Sequence, residues 1–169
     1  MKWVYEKRKY ILFLALAVWM GLIFGFSHQK AAQSSEISGT ITYRVAEGIN
    51  EVFALDWEEE TLKGYAKAWQ HPVRKAAHMT EYAVLACIFL ANAVQYPRWK
   101  KRAYLWGWLG ATVYAATDEF HQLFIEGRSG EVKDVGIDSL GAFLGMAAAW
   151  LVIWIWGRLY RSSNRIKKY

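Results

Sequence analysis

Cysteine is nearly missing from this chain: Cys87 stands alone inside an apolar run, which excludes an internal disulfide and any thiolate metal motif. Low-complexity tracts and Pro- or Gly-rich linkers are missing too. The 169 residues therefore offer no seam for division, and residues 1–169 are expected to form one domain. Catalytic signatures such as H-E-x-x-H and G-x-S-x-G are not found. Acids, finally, are scarce in three basic stretches. The N-terminus (Lys2, Lys7, Arg8, Lys9), the Arg98–Arg102 connection and the tail (Arg158, Arg161, Arg165, Lys167, Lys168) hold 13 of the 21 Lys and Arg with one acid, Glu6. The net charge of +6 thus belongs to no single face, because apolar segments separate the stretches, and nucleic acid is not an expected partner.

What the chain has instead is apolarity in blocks. Its mean hydropathy of +0.02 suits a soluble protein only because charge and apolar residues average out. Four segments stand clear: Tyr10–Ser27, Ala76–Tyr96, Ala103–Phe120 and Val135–Trp156. Each is roughly 18–22 residues long, about what an α-helix needs to cross the hydrocarbon core of a bilayer. A helix also satisfies its own backbone hydrogen bonds in lipid. Ten Trp, ten Tyr and eight Phe suit aromatic belts at the interfaces. The first segment is longer than the apolar core of a signal peptide and lacks a small-x-small site after Phe26, so a signal anchor is expected.

The positive-inside rule assigns both termini and the Arg98–Arg102 connection to the cytoplasm. Four spans meet all three assignments. The fold expected is therefore an all-α membrane protein, a four-helix transmembrane bundle with N- and C-termini inside. Its long first outer connection, Lys30–Pro72, carries Ile37, Ile41, Val45 and Ile49 at helical spacing, then Trp57, Leu62, Tyr65 and Trp69. One or two amphipathic helices, lying on the outer membrane surface or capping the bundle, are expected there.

Ionisable residues collect at one end of these spans. Ser27, His28 and Gln29 end the first. Arg74, Lys75, His78, Glu81 and Tyr82 begin the second. Asp118, Glu119, His121 and Gln122 end the third, Asp134 and Asp138 begin the fourth, and Arg128 lies between them. Helical spacing puts Lys75, His78 and Tyr82 on one face, and Tyr114, Asp118, His121 and Gln122 on another. Gly141 and Gly145 continue the Asp134–Asp138 stripe, and Gly21 and Gly25 lead to His28. Both G-x-x-x-G pairs are expected to face other helices, because small residues let helices approach closely in lipid. Ionisable groups at membrane depth are costly and usually have partners, so a purely structural role as interhelical glue is one reading of the set. Lys75 and Arg128 reaching a phosphate or carboxylate headgroup is another. Arg74 and Lys75 lie on the side where basic residues are disfavoured, and interfacial snorkelling is the structural reading of both. Gly127 and Gly130 suggest a tight turn that fixes the approach of Arg128.

The run from Asp118-Glu119 through Gln122, Gly127-Arg128 and Asp134 to Gly141 and Gly145 resembles the VanZ-like family of bacterial membrane proteins. Phe26-Ser27-His28-Gln29 and Lys75-x-x-His78-x-x-x-Tyr82 resemble two further motifs of that family, in the same order. The chain departs from the pattern at His28, where Ser is usual, and at Glu126, where Pro is usual. Ser would be a poor replacement ligand, so a metal role for His28 is not expected. The resemblance implies a small multi-pass protein of the cell membrane, whose founding relative is associated with low-level resistance to the lipoglycopeptide teicoplanin. It carries over Ser27, Gln29, Lys75, His78, Tyr82, Asp118, Glu119, Gln122, Arg128, Asp134 and Gly141 as the residues of interest.

Two functional readings follow. In the first, the chain is an enzyme on an envelope lipid or lipid-linked saccharide. His78 or His121 serves as general base or nucleophile, Asp118 or Glu119 orients it or acts as acid, and Lys75 and Arg128 hold the anionic headgroup. A metal-assisted version would use His78, His121, Asp118 and Asp134 as ligands; otherwise the residues name no cofactor. In the second, the same cluster binds or gates a lipid headgroup or lipoglycopeptide without chemistry, with Tyr82, Gln122, Ser27, Gln29, Asp134 and Asp138 shaping the site. A coupled transporter fits less well, since no ionisable residue falls near the predicted bilayer midplane.

Overall fold

Helix α1 (Lys2–Ser27) is one unbroken apolar rod after its basic first turns, and it ends where Ser27-His28-Gln29 replaces the apolar run. This is a computed structural model describing residues 2–166, with side chains for 6–161. Lys167 and Lys168 lie outside the described residues, and Lys2 and Arg165 are described by backbone alone. Lys30 adopts an extended conformation and releases α2 (Ala31–Phe53), which α3 (Glu59–Ala93) follows. A short α4 (Pro97–Lys100) starts with Pro at its first turn, where a missing N–H costs nothing. The last two helices are α5 (Ala103–Gln122) and α6 (Val132–Ile166). No strand occurs among the described residues.

The long first connection departs from expectation. α2 is indeed an amphipathic helix, but residues 59–72 form no separate one. They belong to α3, whose 35 residues run through Pro72 into the apolar segment, a rod of roughly 52 Å at 1.5 Å per residue. Pro72 removes one intrahelical hydrogen bond, yet the helix continues on both sides of it. α2 folds back antiparallel along the first half of α3, with Ser35 beside Gln70 and Thr42 beside Ala66. The turn is closed by Asn50, which accepts from the Trp57 N–H at 3.0 Å and donates to the Trp57 carbonyl at 3.4 Å. Small residues line the seam: Ser38, Thr42 and Ala46 of α2 are buried against Leu62 and Ala66 of α3. Thr42 donates across it to the Ala66 carbonyl at 3.0 Å. The large residues Ile37, Ile41, Val45 and Ile49 consequently turn outward and stay exposed, and they do not cap the bundle.

The second half of α3 is the axis of the bundle. α1, α5 and α6 pack around it, and Tyr82, Leu85 and Ala86 are buried at its centre. The facing residues are small: Ala111 and Ala115 of α5, Ala142 of α6. A methyl group added at Gly145 would sit 2.7 Å from the Ala83 carbonyl oxygen, and one at Gly107 2.9 Å from that of Ala86. Such contact maximises dispersion between helices where lipid removes the usual hydrophobic drive. The two glycine pairs behave differently, however. Gly141 and Gly145 press on the α3 backbone at Met79 and Ala83, whereas a methyl group added at Gly21 or Gly25 would meet no other helix within 4 Å. The buried face of α1 is Ile23 and Ser27, flanked by Leu16, Trp19 and Met20, and the expectation for its glycine pair is corrected accordingly. Larger side chains one turn away hold that face by reaching across, as Trp19 does in donating to the Glu81 carbonyl at 3.0 Å.

Among the described residues three helices, α1, α3 and α6, are long and apolar enough to cross a membrane. α5, expected as the third span, is 20 residues long but less apolar. Its Gly, Tyr and Trp content and its Asp118–Gln122 end lower its hydropathy, and its small residues are spent on the core.

Candidate functional site

Five chain segments bring the polar residues together at the end of the bundle where α1 and α5 finish and α6 begins. Asp118 is the node. It is 3 % exposed, and its Oδ2 accepts from Ser27 Oγ at 2.5 Å and from Gln122 Nε2 at 3.2 Å. The same amide nitrogen donates to Glu119 Oε1 at 3.1 Å, while Gln122 Oε1 accepts from Arg128 Nη1 at 3.3 Å. Arg128 Nε then donates to the Gln29 carbonyl at 3.1 Å. Ser27, Asp118, Gln122, Arg128 and Gln29 thus form a ring of contacts that leaves α1 and returns to it. Glu119 is tied in from the other side, accepting the Glu131 N–H at 3.0 Å. Buried polar networks of this kind hold one geometry when satisfied. Three buried atoms here are not satisfied: the Tyr82 hydroxyl, Asp118 Oδ1 and His121 Nδ1.

Arg128 owes its position to the turn after α5. Its N–H donates to the Ile125 carbonyl at 3.0 Å, and Gly127 has φ of +75°, a left-handed conformation that favours glycine. Glu126, where the related pattern has Pro, pairs with Lys30 at 2.6 Å on the surface and links this turn to the α1–α2 junction.

The cluster opens on two sides. A polar cavity of about 320 Å³ is lined by Lys75, Glu119, Gln122, Arg128, Asp134 and Asp138, among others. A groove of about 220 Å³ beside it is mostly apolar, with Phe26, Ile37, Ile41 and Val73, and it also reaches Gln29 and Glu81. Arg74, His78 and Arg128 line both and form the wall between them. His78 Nδ1 lies 3.6 Å from Glu81 Oε2.

The charges in this wall are unequal in their partners. Lys75, which lines the polar cavity, is paired with Asp134. Arg74 makes one long contact, 3.4 Å to Ser35 Oγ, and neither it nor Arg128 forms an ion pair among the described residues. The guanidinium of Arg128 is pushed down from its ordinary pKa by burial and by the charge of Arg74, while Asp118 and Glu119 oppose the change. Two half-buried guanidiniums thus line the same two openings, and Glu81, Glu119, Asp134 and Asp138 line them too. Arg74 lines both openings, although the sequence reading gives the anion role to Lys75 and Arg128.

Not every expected site residue reaches these cavities. Ser27, Tyr82 and Asp118 are fully covered and act from behind the wall. His121 points away from it, with its ring 4.3 Å from that of Phe24 and 5.5 Å from that of His28. His78, His121, Asp118 and Asp134 therefore do not converge, and no group of three metal-ligating side chains exists among the described residues.

Apolar helices packed through glycine and alanine, with a polar network gathered at one end, mark a helical membrane protein. Residues 12–156 match the family model VanZ/LLP1, and the chain belongs to that family. No curated protein and no solved structure matches it.

Proposed function

We propose that the chain crosses the cell membrane four times, through α1, α3, α5 and α6, with both termini cytoplasmic. The polar end then faces outward and holds the anionic headgroup of an envelope lipid or lipoglycopeptide. The observation that carries this reading is that Arg74 and Arg128 line both openings and form no ion pair among the described residues. α5 is included as a span because it packs on α3 and α6, and its 20 residues reach roughly 30 Å. The basic stretches at Lys7–Lys9 and Arg98–Arg102 support the orientation.

A reporter that works only outside the membrane, fused after Arg128, is expected to be active; one active only in the cytoplasm overturns the orientation. Headgroup binding is read with short-chain phosphatidylglycerol against phosphatidylcholine, titrated into the purified protein in detergent. Preference for the anionic lipid should drop at least about tenfold in the Arg74→Gln, Arg128→Gln double variant, as expected for lost charge-assisted contacts. Equal binding of both lipids by the intact protein refutes the reading.

His78, 3.6 Å from Glu81 and lining both openings with the two arginines, favours a second reading in which the headgroup is also a substrate. His78 would serve as general base, with Glu81 orienting it. Envelope lipids compared between cells with the intact chain and with His78→Ala decide this. An unchanged profile, with teicoplanin tolerance still conferred, leaves binding alone.

A further inference from the structure

The apolar groove does not stop at the arginines. Beyond Val73, which lines both, it continues into a second groove of about 390 Å³ between α2 and α3, walled by Val45, Ile49, Trp57, Tyr65 and Trp69. From Ile37 to Ile49 this track runs roughly 18 Å along α2, comparable to an extended acyl chain of a membrane lipid. Its walls are exposed apolar side chains: Val45 is 56 % and Trp69 60 % accessible. A contiguous apolar strip of this kind marks an interaction surface.

Two features select the occupant. One end of the strip is closed by Arg74, His78, Glu81 and Arg128, so whatever lies along it meets two guanidiniums beside a single carboxylate there. The strip also lies past the bundle. α1 ends at Ser27, level with the Asp118 network, and α6 begins near Lys75, whereas α3 extends a further 16 residues toward Glu59. The hydrocarbon core bounded by those helix ends does not reach most of it.

We propose that the α2–α3 groove receives the hydrocarbon chain of an anionic lipid lifted from the outer leaflet, whose headgroup rests on Arg74 and Arg128. This deepens the headgroup reading and rests on it. The site would then hold a whole amphiphile, chain included, partly out of the bilayer.

The test uses the full-length protein in phosphatidylcholine nanodiscs, with inorganic phosphate and hexyl, octyl and decyl phosphate as probes and empty nanodiscs subtracted. Affinity is expected to rise about two- to fourfold per methylene. It should fall at least about tenfold for decyl phosphate in Val45→Asp, while inorganic phosphate binding is unchanged. A decyl phosphate carrying a diazirine is expected to label residues 37–49 and 65–73. Chain-length-independent binding that still needs the arginines overturns the groove assignment and leaves the headgroup reading standing. A chain-length series that is the same in Arg74→Gln, Arg128→Gln reports bilayer partition and overturns it as well. If neither phosphate nor any alkyl phosphate binds, both readings fall. Label absent from the hairpin, with Val45→Cys copies joining as disulfide dimers, would give the groove to a second copy of the chain.

Discussion

Gly145 and Gly25 occupy equivalent places in two G-x-x-x-G pairs, and the structure predicts opposite outcomes for the same substitution. In Gly145→Ala the new Cβ would lie 2.7 Å from the Ala83 carbonyl oxygen, 2.8 Å from its Cα and 2.9 Å from its Cβ, where ordinary contact begins at 3.4 Å. α6 must therefore retreat by at least ~0.5 Å, because backbone cannot swing aside as a side chain does. A gap of ~0.5–1 Å already forfeits a quarter to a half of a dispersion contact, and overpacking costs about 1–3 kcal/mol. Against this, alanine gains about 0.5–1 kcal/mol over glycine within a helix. The net expectation is a loss of about 1–2 kcal/mol, or several degrees at roughly 2–4 °C per kcal/mol for a chain of this size. Gly25→Ala meets open space and should be neutral or slightly stabilising. Labelling of Cys87 by a thiol-reactive dye during a thermal ramp reads this interface directly, since Cys87 Sγ lies 3.7 Å from the Gly145 carbonyl. Equal midpoints for the two variants would falsify the α3–α6 packing described above.

Other perturbations follow from the same geometry. Ser27→Ala takes away the hydroxyl that donates to buried Asp118 and should cost about 1–3 kcal/mol. In a thermal-melt double-mutant cycle with Asp118→Asn the two effects should fail to add, by at least ~0.5 kcal/mol; simple additivity refutes the contact. Lys75→Met strands Asp134 and should lower stability by about 1–3 kcal/mol. Lys75→Met with Asp134→Leu should recover most of that in the same melt, and no recovery would show that Lys75 serves something other than its partner. Ala54 closes α2 with φ of 47°, a conformation that costs a non-glycine residue about 1–2 kcal/mol. Ala54→Gly should therefore raise the melting midpoint by a degree or more; a drop contradicts the left-handed cap.

The membrane character and the end at which polar residues gather were legible because both follow from residue order along helices. The Asp118–Gln122 spacing brought those two side chains together on one face, as found. What spacing alone could not give was which way a face points. Asp118 and His121 share a face, as periodicity predicts, but that face meets α1 at Ser27, Phe24 and His28 and lines neither cavity. Gly21 and Gly25 carried the same motif as Gly141 and Gly145, but only the second pair meets another backbone. Lys75 and Arg74 are adjacent in sequence. Asp134, distant in the chain, neutralises the first and leaves the second free. The continuity of α3 was hidden by Pro72, which read as a boundary because proline disrupts helices more often than it is carried through them.

That continuity makes α3 a lever. Its first half is bound to α2 across the Thr42–Ala66 seam, and its second half is wedged between α5 and α6 at Gly107 and Gly145. A hairpin joined to the bundle by a loop would swing without consequence. Here any sideways load on the hairpin bears on close backbone contacts of the core, with Pro72 as the weakest point of the rod between them.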